Sequence, residues 1–483
     1  MLGQLSQFVE SSAETWVKNY SRSVPDSAAT RQQAATAVRD PHDAVQHGLQ
    51  NDGMNHCFLN CVIQAFWSLR TFRQRFLDAP EHEHSNDGIS ACSASATPET
   101  LDAEFFDSVE HCCYCALKSV FNAYKFSNAE SLPPDVLRTA LSNIYTVRGR
   151  FKLGEMEDAT ETIEVLLDVL HASSLTSEPI GRSSEVSTCE GCSTSSSSSL
   201  GRKRASSCQF VPGAAVIEKV SGWACQPPCI SHEVFGIEYV DLPRCTFCHA
   251  TGEPMVTSSY VYPVYIADLL SHCGLADASI VAGSLANLSS RWSGGKPILQ
   301  DLMWKLCQRK VSQPCSECNS RLTMELERWL TRRPQTFLIS LVWPSSSPSR
   351  DQLWTVMSTL QAEVFMEQVF RTERTSTRAS TSNKSMCPED KYLLCGLICY
   401  FGMHYIAIFW NWPLMQWLVF DDSSVRHEKD WSGVLQLIVA GQYVPTLLFY
   451  ESFAGGQLPQ AHVEDFVRQV TELEDRRGSC SVM

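Results

Sequence analysis

Gly48-Leu49-Gln50-Asn51-Asp52-Gly53-Met54-Asn55-His56-Cys57-Phe58-Leu59-Asn60 is the stretch on which the reading of this chain turns. A polar loop of Gly and Asn delivers Cys57. From there apolar residues recur at helical spacing (Phe58, Val62, Phe66, Leu69), so the pattern predicts a helix that begins at Cys57. A cysteine at a helix N-terminus meets free backbone N–H groups and the positive end of the helix dipole, both of which favour the thiolate. The same N–H groups, with the carboxamide of Asn51 or Asn55, are candidate donors to an oxyanion. Taken alone, the segment fits a buried core cysteine capping a helix better than a nucleophile.

The far end of the chain weighs against that plainer reading. Gly402-Met403-His404-Tyr405 sits between two apolar, β-prone runs, Tyr392 to Tyr400 and His404 to Trp410. The next run, Gln416-Trp417-Leu418-Val419-Phe420-Asp421-Asp422, ends in two carboxylates. Antiparallel strands joined this way set His404 beside Asp421 and Asp422. A carboxylate on one imidazole nitrogen fixes the tautomer and turns the other nitrogen toward a thiol.

Outward from these segments, Ala116 to Tyr124, Pro134 to Tyr145 and Asp158 to His171 read as helices, and a further helical tendency runs from Leu5 to Tyr20. From Ile237 the texture turns to strands, including Val256 to Tyr265 and Thr336 to Trp343. Helices followed by an antiparallel sheet argue an α+β fold. Residues 1–46 read as a polar N-terminal segment, residues 47–452 as the folded domain, and residues 453–483 as a flexible tail. Within the domain, Ser85 to Thr100 reads as a loop. Two polar insertions, about residues 172–222 and 371–388, are too poor in apolar residues to bury a core and are expected to be disordered. The first carries Ser193 to Ser199, the basic cluster Arg202, Lys203, Arg204, and Cys189 with Cys192, which reads as linker rather than site.

The formal net charge of −14 argues against a nucleic-acid partner, which needs a basic surface. The start of the chain lacks a basic, then apolar, leader, and no run of 18 apolar residues suggests a membrane span. A reducing compartment, cytoplasmic or nuclear, is the expectation, so the 21 cysteines are read as ligands, nucleophiles or core residues. The last four residues, Cys480-Ser481-Val482-Met483, fit a C-a-a-X pattern with Met favouring farnesyl. One such chain would give weak, reversible membrane association.

The segments resemble the boxes of the ubiquitin-specific proteases, a branch of the papain-like cysteine peptidases. The pattern G-L-x-N-x-G-N-T-C-[YF]-x-N is similar to Gly48 to Asn60, with one extra residue before the Cys. The pattern Y-x-L…H-Y-x-A…W-x-x-F-[DN]-D-x-x-V is similar to Tyr392, Leu394, His404, Tyr405, Ala407, Trp417, Phe420, Asp421, Asp422 and Val425. Met156 to Glu161 resembles the Q-x-D-A-x-E block. The likeness runs from about His47 to Ser452 and is nearest to a divergent subgroup with C-F-L-N in the Cys box, some of whose members are regarded as inactive. His56 stands in place of Thr or Ser, Met54 is extra, and Cys61 stands where Ser or Ala is usual.

The resemblance implies a papain-like hand with a helical thumb, a β-rich palm and zinc-bearing β-fingers. It implies hydrolysis of isopeptide bonds at the C-terminal glycine of ubiquitin by a monomer. Cys57 would be nucleophile, His404 base, Asp421 its orienting carboxylate and Asp422 an assistant, with Asn51 or Asn55 at the oxyanion. His56 would be a decoy for the base. Two other readings stay open: a catalytically inactive ubiquitin-binding scaffold of the same fold, and a zinc-stabilised interaction protein.

For zinc, Cys245-x-x-Cys248 and Cys315-x-x-Cys318 supply two knuckle-type pairs, enough for a closed four-thiolate site. Cys229-x-x-His232 offers a rival pair, giving Cys229, His232, Cys245 and Cys248. His82, His84, Cys112 and Cys115 form a second, less specific set.

Overall fold

A computed structural model of the chain describes residues 46–79, 112–145, 149–175, 229–272, 298–321, 323–372, 390–452 and 458–471. The chain divides into two units, Met1–Ala44 and Val45–Met483, and every described residue belongs to the second. The expected helix at Leu5 to Tyr20, the loop at Ser85 to Thr100, the Ser-rich run with Cys189 and Cys192, and His82, His84 and Cys480 all lie outside the described residues.

The first half is helical. A two-residue strand β1 (Gly48–Leu49) precedes α1 (Cys57–Ser68), α2 (Arg70–Asp78) and α3 (Cys113–Phe126). Strand β2 (Ser131–Leu132), α4 (Asp135–Tyr145) and α5 (Ala159–Leu175) follow. Helix α5 starts where Asp158 Oδ1 accepts from the backbone N–H groups of Thr160 and Glu161, an N-cap. It runs past His171 to Leu175, with Ser173 buried, so the first insertion begins later than its composition suggests. The apolar periodicity of the helix outlasts the onset of Ser-rich composition.

The second half builds two sheets. Helix α6 (Ile230–Phe235) leads into β3 (Ile237–Cys245), β4 (Met255–Ser259) and β5 (Val261–Tyr265), then α7 (Ile266–His272) and α8 (Leu299–Leu306). Next come β6 (Lys310–Val311), β7 (Met324–Arg332), β8 (Thr336–Val342), α9 (Arg350–Thr359), β9 (Glu363–Phe365) and α10 (Met366–Val369). The chain closes with β10 (Lys391–Phe401), β11 (His404–Asn411), β12 (Gln416–Asp421), β13 (Ser424–Glu428), α11 (Trp431–Gly441), β14 (Val444–Ser452) and α12 (Gln460–Thr471).

The larger sheet runs β13-β12-β11-β10-β14-β8-β5, with β9 also on β10; only the β5–β8 pair is parallel. The smaller sheet, β4-β3-β7-β6, forms the fingers. Both faces of the large sheet are buried, and β11 divides its side chains with a period of two. Tyr405, Ala407 and Phe409 face the core shared with α1, α3 and α5, while Ile406, Ile408 and Trp410 face a second core. The fold is therefore α+β, with a helical thumb, a sheet palm and a separate four-stranded finger sheet.

Helices α7 to α12 cover the far face of the palm, where sequence texture alone suggests mostly strand. Arg371, at the edge of the second polar insertion, exchanges backbone hydrogen bonds with Arg328 and Leu330. The supposed flexible tail contains α12, whose Val463, Phe466 and Val470 are buried, with Phe466 against Trp410, Trp412 and Trp417. Val463, Phe466 and Val470 recur at i, i+3 and i+7, a helical stripe diluted by polar neighbours. No helix among the described residues is long and apolar enough to cross a membrane.

Candidate active site

Cys57 is the first residue of α1 and is only 2% exposed, at the seam between the thumb and β11. Its N–H falls within the first turn, where no intrahelical acceptor exists. Within the preceding loop, Asn51 Oδ1 accepts from the backbone N–H of His56 at 2.8 Å.

His404 opens β11 directly after a two-residue hairpin. Phe401 pairs with His404, and Gly402 and Met403 between them both have positive φ (55° and 65°), the backbone a type I′ turn demands. On the neighbouring hairpin, Asp421 pairs with Ser424 around Asp422, which itself has a φ of 50°. His404 Nε2 lies 2.7 Å from Asp421 Oδ1, and Arg426 Nη2 donates to Asp421 Oδ2 at 3.3 Å. With Nε2 occupied, Nδ1 is the ring nitrogen left to serve Cys57, whose influence on His404 is felt in the imidazole's raised pKa. The Asp421 hydrogen bond and then the Cys57 one raise the imidazole to about 10, against the opposing effect of burial. Asp421 is held below its ordinary value, chiefly by His404.

Asp422 plays a different part. It lies 4.0 Å from His404 Nδ1, but its oxygens are taken: Oδ2 accepts from Asn51 Nδ2 and Oδ1 from Asn60 Nδ2, both at 2.8 Å. Its backbone carbonyl accepts from Leu49 N–H at 2.8 Å. Asp422 thus ties β1, the Cys57 loop and α1 to the turn beside Asp421. Asn60, buried on α1, is the residue sequence reasoning passed over as a site residue, although it closes the C-F-L-N box. A carboxamide among mostly apolar residues on the inner face of the helix, repeated one turn on at buried Gln64, was the available signal. Gly48 belongs to the same seam: a Cβ there would stand 2.2 Å from Ser423 O.

The two candidate oxyanion residues separate. Asn51 sits beside Asp422, one amide hydrogen committed and the other unassigned, while Asn55, at a φ of 56°, turns its amide to Gly154 O at 2.7 Å. That second loop is clamped from below by buried Arg138, which donates to the carbonyls of Phe151, Lys152 and Glu155. His56 is buried, lowered first by desolvation and then by Arg138, and its Nε2 has no hydrogen-bond partner among the described residues. Cys61, one turn behind Cys57, is pushed well up, by burial first and Cys57 next. Met54, Leu153, Phe401 and Met403 stand exposed on the loops around these groups.

The four finger cysteines converge. Strands β3 and β7 pair so that Cys245 lies opposite Met324, bringing both knuckles to one end of the sheet. Each knuckle is built alike: His249 N–H donates to Cys245 O and Asn319 N–H to Cys315 O, with His249 and Asn319 both at positive φ. The sulfurs of Cys245 and Cys318 are 3.7 Å apart, and those of Cys248 and Cys315 3.5 Å. Zinc–sulfur bonds of about 2.3 Å in a tetrahedron set sulfurs about 3.8 Å apart. This cluster is therefore able to hold a metal ion.

The rival set is not assembled. Cys229 and His232 lie apart from Cys245 and Cys248 and instead meet His171 of α5. The knuckle turn consumes the reach of Cys245 and Cys248 toward the finger tip, while Cys229 caps α6 in the thumb. Of the second set, Cys112 caps α3 and accepts from Cys115 N–H at 3.5 Å, with its histidines outside the described residues.

The profile of the family described as Ubiquitin carboxyl-terminal hydrolase matches residues 47–450. Ubiquitin carboxyl-terminal hydrolase 54 of Rattus norvegicus is 27% identical over 413 residues, covering 84% of this chain and 20% of that protein. Ubiquitin carboxyl-terminal hydrolase 53 of Homo sapiens is 24% identical over 427 residues, covering 88% of this chain and 31% of that protein. The chain thus spans between a fifth and a third of the length of these relatives. Among solved structures, the SAGA Ubp8/Sgf11/Sus1/Sgf73 DUB module bound to ubiquitin aldehyde is similar at 14% identity and a TM-score of 0.49, over 87% of this chain and 72% of that one.

Proposed function

The chain belongs to the ubiquitin carboxyl-terminal hydrolase family, and we propose that it is an active thiol-dependent isopeptidase cleaving at the C-terminal glycine of ubiquitin. The observation that supports this reading is the His404–Asp421 hydrogen bond, with Cys57 at the first turn of α1 acting on the same imidazole. In this reading Cys57 is the nucleophile, His404 the base and Asp421 the orienting carboxylate, the three groups that acyl transfer through a thioester requires.

In this mechanism His404 takes the Cys57 proton, and the thiolate adds to the glycine carbonyl carbon. The carbonyl oxygen, now negative, faces the first-turn N–H of Cys57 and the second amide hydrogen of Asn51. Imidazolium His404 returns its proton to the departing lysine amine as the C–N bond breaks. Water, deprotonated by His404, then hydrolyses the thioester and regenerates the thiol. Asp421 keeps its charge throughout and stabilises imidazolium His404. Asp422, bound to Asn51 and Asn60, is a positioning residue.

Cys245, Cys248, Cys315 and Cys318 would hold a structural zinc at the finger tip, a role that supplies no step of the reaction. Ubiquitin bearing a C-terminal electrophile tests the proposal. Covalent capture by the wild type, lost in Cys57→Ala with ubiquitin binding retained, is the expected outcome. Binding without capture would make the chain a ubiquitin-binding scaffold, and neither would leave an interaction protein of another kind.

A further inference from the structure

Outside the catalytic series and the finger tip, one more group of soft ligands converges. His171 lies in the last turns of α5, Cys229 is the N-cap of α6, and His232 is in the first turn of α6. His171 Nδ1 is 3.3 Å from Cys229 Sγ, and His232 Nδ1 is 3.4 Å from the same sulfur. The two imidazole rings stand 4.3 Å apart between centroids, and the three ligand atoms all lie within 4.8 Å of one another. We propose that His171, Cys229 and His232 form a second zinc site, at the junction of thumb and fingers.

Three features support it. The first is distance: bonds of about 2.3 Å to sulfur and about 2.0–2.1 Å to nitrogen in a tetrahedron place S and N about 3.6 Å apart, close to both separations found. The second is orientation. Both rings turn the same atom, Nδ1, toward the sulfur, and His232 Nε2 lies 3.0 Å from Tyr260 Oη. With Nε2–H donating to that oxygen, the Nδ1 lone pair of His232 points into the cluster. A hydrogen bond from the far ring nitrogen is the usual support of a metal-bound histidine. The third is chemistry: one thiolate and two neutral imidazoles suit zinc better than a hard cation. Water or another ligand completes the tetrahedron.

The place in the chain gives the site its consequence. His171 and Cys229 are 58 positions apart and flank the first insertion. A metal bridging them ties together positions far apart in the sequence, and clips of this kind limit the freedom of the unfolded chain most when the stretch they span is long. Buried Ser231 already donates to Leu167 O at 2.8 Å across the same contact. Since α6 runs directly into β3, a metal here fixes the root of the finger sheet to α5, as the four-cysteine cluster fixes its tip.

The test is metal content and ligand type in the full chain purified from zinc-supplemented, chelator-free medium. Two zinc ions per chain are expected, with a first shell by X-ray absorption that mixes sulfur with imidazole nitrogen. Cys229→Ser should lower the count by one and leave an all-sulfur shell. Cys315→Ser should remove the other ion and leave the mixed shell. Wild-type protein with one zinc in an all-sulfur shell would overturn the proposal, as would an unchanged count in Cys229→Ser. If Cys229→Ser fails to fold, His171→Ala decides: loss of one zinc and of the imidazole shell supports the site, and an unchanged count and shell overturn it. A single zinc in a mixed shell, kept in Cys315→Ser and lost in Cys229→Ser, would support this site and reject the finger-tip zinc instead.

Discussion

Replacing Asp421 by Asn is the most informative single change, because it keeps the shape of the site and removes one charge. The carboxylate accepts from His404 Nε2 at 2.7 Å and is the leading reason the imidazole is raised to about 10. A hydrogen bond to a charged group contributes about 1.5–3 kcal/mol and a neutral one about 0.5–1.5, so the exchange costs imidazolium His404 about 1 kcal/mol. At about 1.4 kcal/mol per pH unit, the alkaline limb of kcat/KM should move down by about 0.7 unit, with a loss of about fivefold in the rate. The limb should move down because losing an anionic neighbour favours the neutral ring. The assay is kcat/KM against pH on a fluorogenic C-terminal amide of ubiquitin, with thermal unfolding followed in parallel. His404, raised above its ordinary 6.5, contributes stability that is complete below that value and is lost as pH rises through about 10. Asp421, lowered below 3.8, contributes above that value, and its contribution is lost as pH falls through its depressed folded pKa. Asp422→Asn should leave the alkaline limb nearly in place, since its oxygens serve Asn51 and Asn60. An unmoved limb in Asp421→Asn, or an equal shift in Asp422→Asn, would defeat the assignment of roles.

Three further outcomes follow from the seam and the tail. Gly48→Ala puts a Cβ 2.2 Å from Ser423 O, backbone that cannot swing aside, so stability should fall by about 1–3 kcal/mol and activity with it; an unchanged Tm would show that β1 is free to shift. Asn60→Leu removes a buried donor to the Asp422 carboxylate, and about 1.5–3 kcal/mol of stability should be lost in denaturant titration, with kcat falling more than KM changes. Phe466→Ala empties a site packed by three tryptophans and should cost about 3–5 kcal/mol, measured by urea unfolding, whereas a dispensable tail would show no change.

The parts legible in the sequence were those whose signal is local. Cys57 to Leu69 reads as a helix because one apolar stripe continues for three turns, and α1 spans Cys57–Ser68. Strands β10, β11 and β12 read clearly because Tyr392 to Tyr400, His404 to Trp410 and Trp417 to Phe420 are nearly unbroken apolar runs, as a sheet buried on both faces requires. What escaped was set by distant partners. The Ser349/Gln352 capping box announces α9, and Asp430 caps α11, yet both stand in a region dominated by strands. Helix α12 shows its stripe only once Trp410, Trp412 and Trp417 are known to need a cover. His171 looked like the polar end of a helix because its partner, Cys229, is 58 positions away.

The positions of His404 and Asp421 follow from register more than from any single contact. Five successive pairs, from Ala407 with Phe420 to Asn411 with Gln416, lock β11 to β12, and the faces alternate along both. A one-residue slip would carry Tyr405, Ala407 and Phe409 out of the thumb core and Ile406 and Ile408 into it. His404 lies one step before that alternation begins, at the sheet margin, and Asp421 one step after it ends. Each is followed or preceded by a tight turn whose positive-φ residues leave no slack: Gly402 and Met403 before His404, Asp422 after Asp421. The buried core thus sets where the His404 and Asp421 side chains emerge, and the Asn51 and Asn60 hydrogen bonds to Asp422 carry that placement across to the Cys57 loop and α1. A strained aspartate in the left-handed region persists because three donors, Leu49 N–H and the two carboxamides, converge on it.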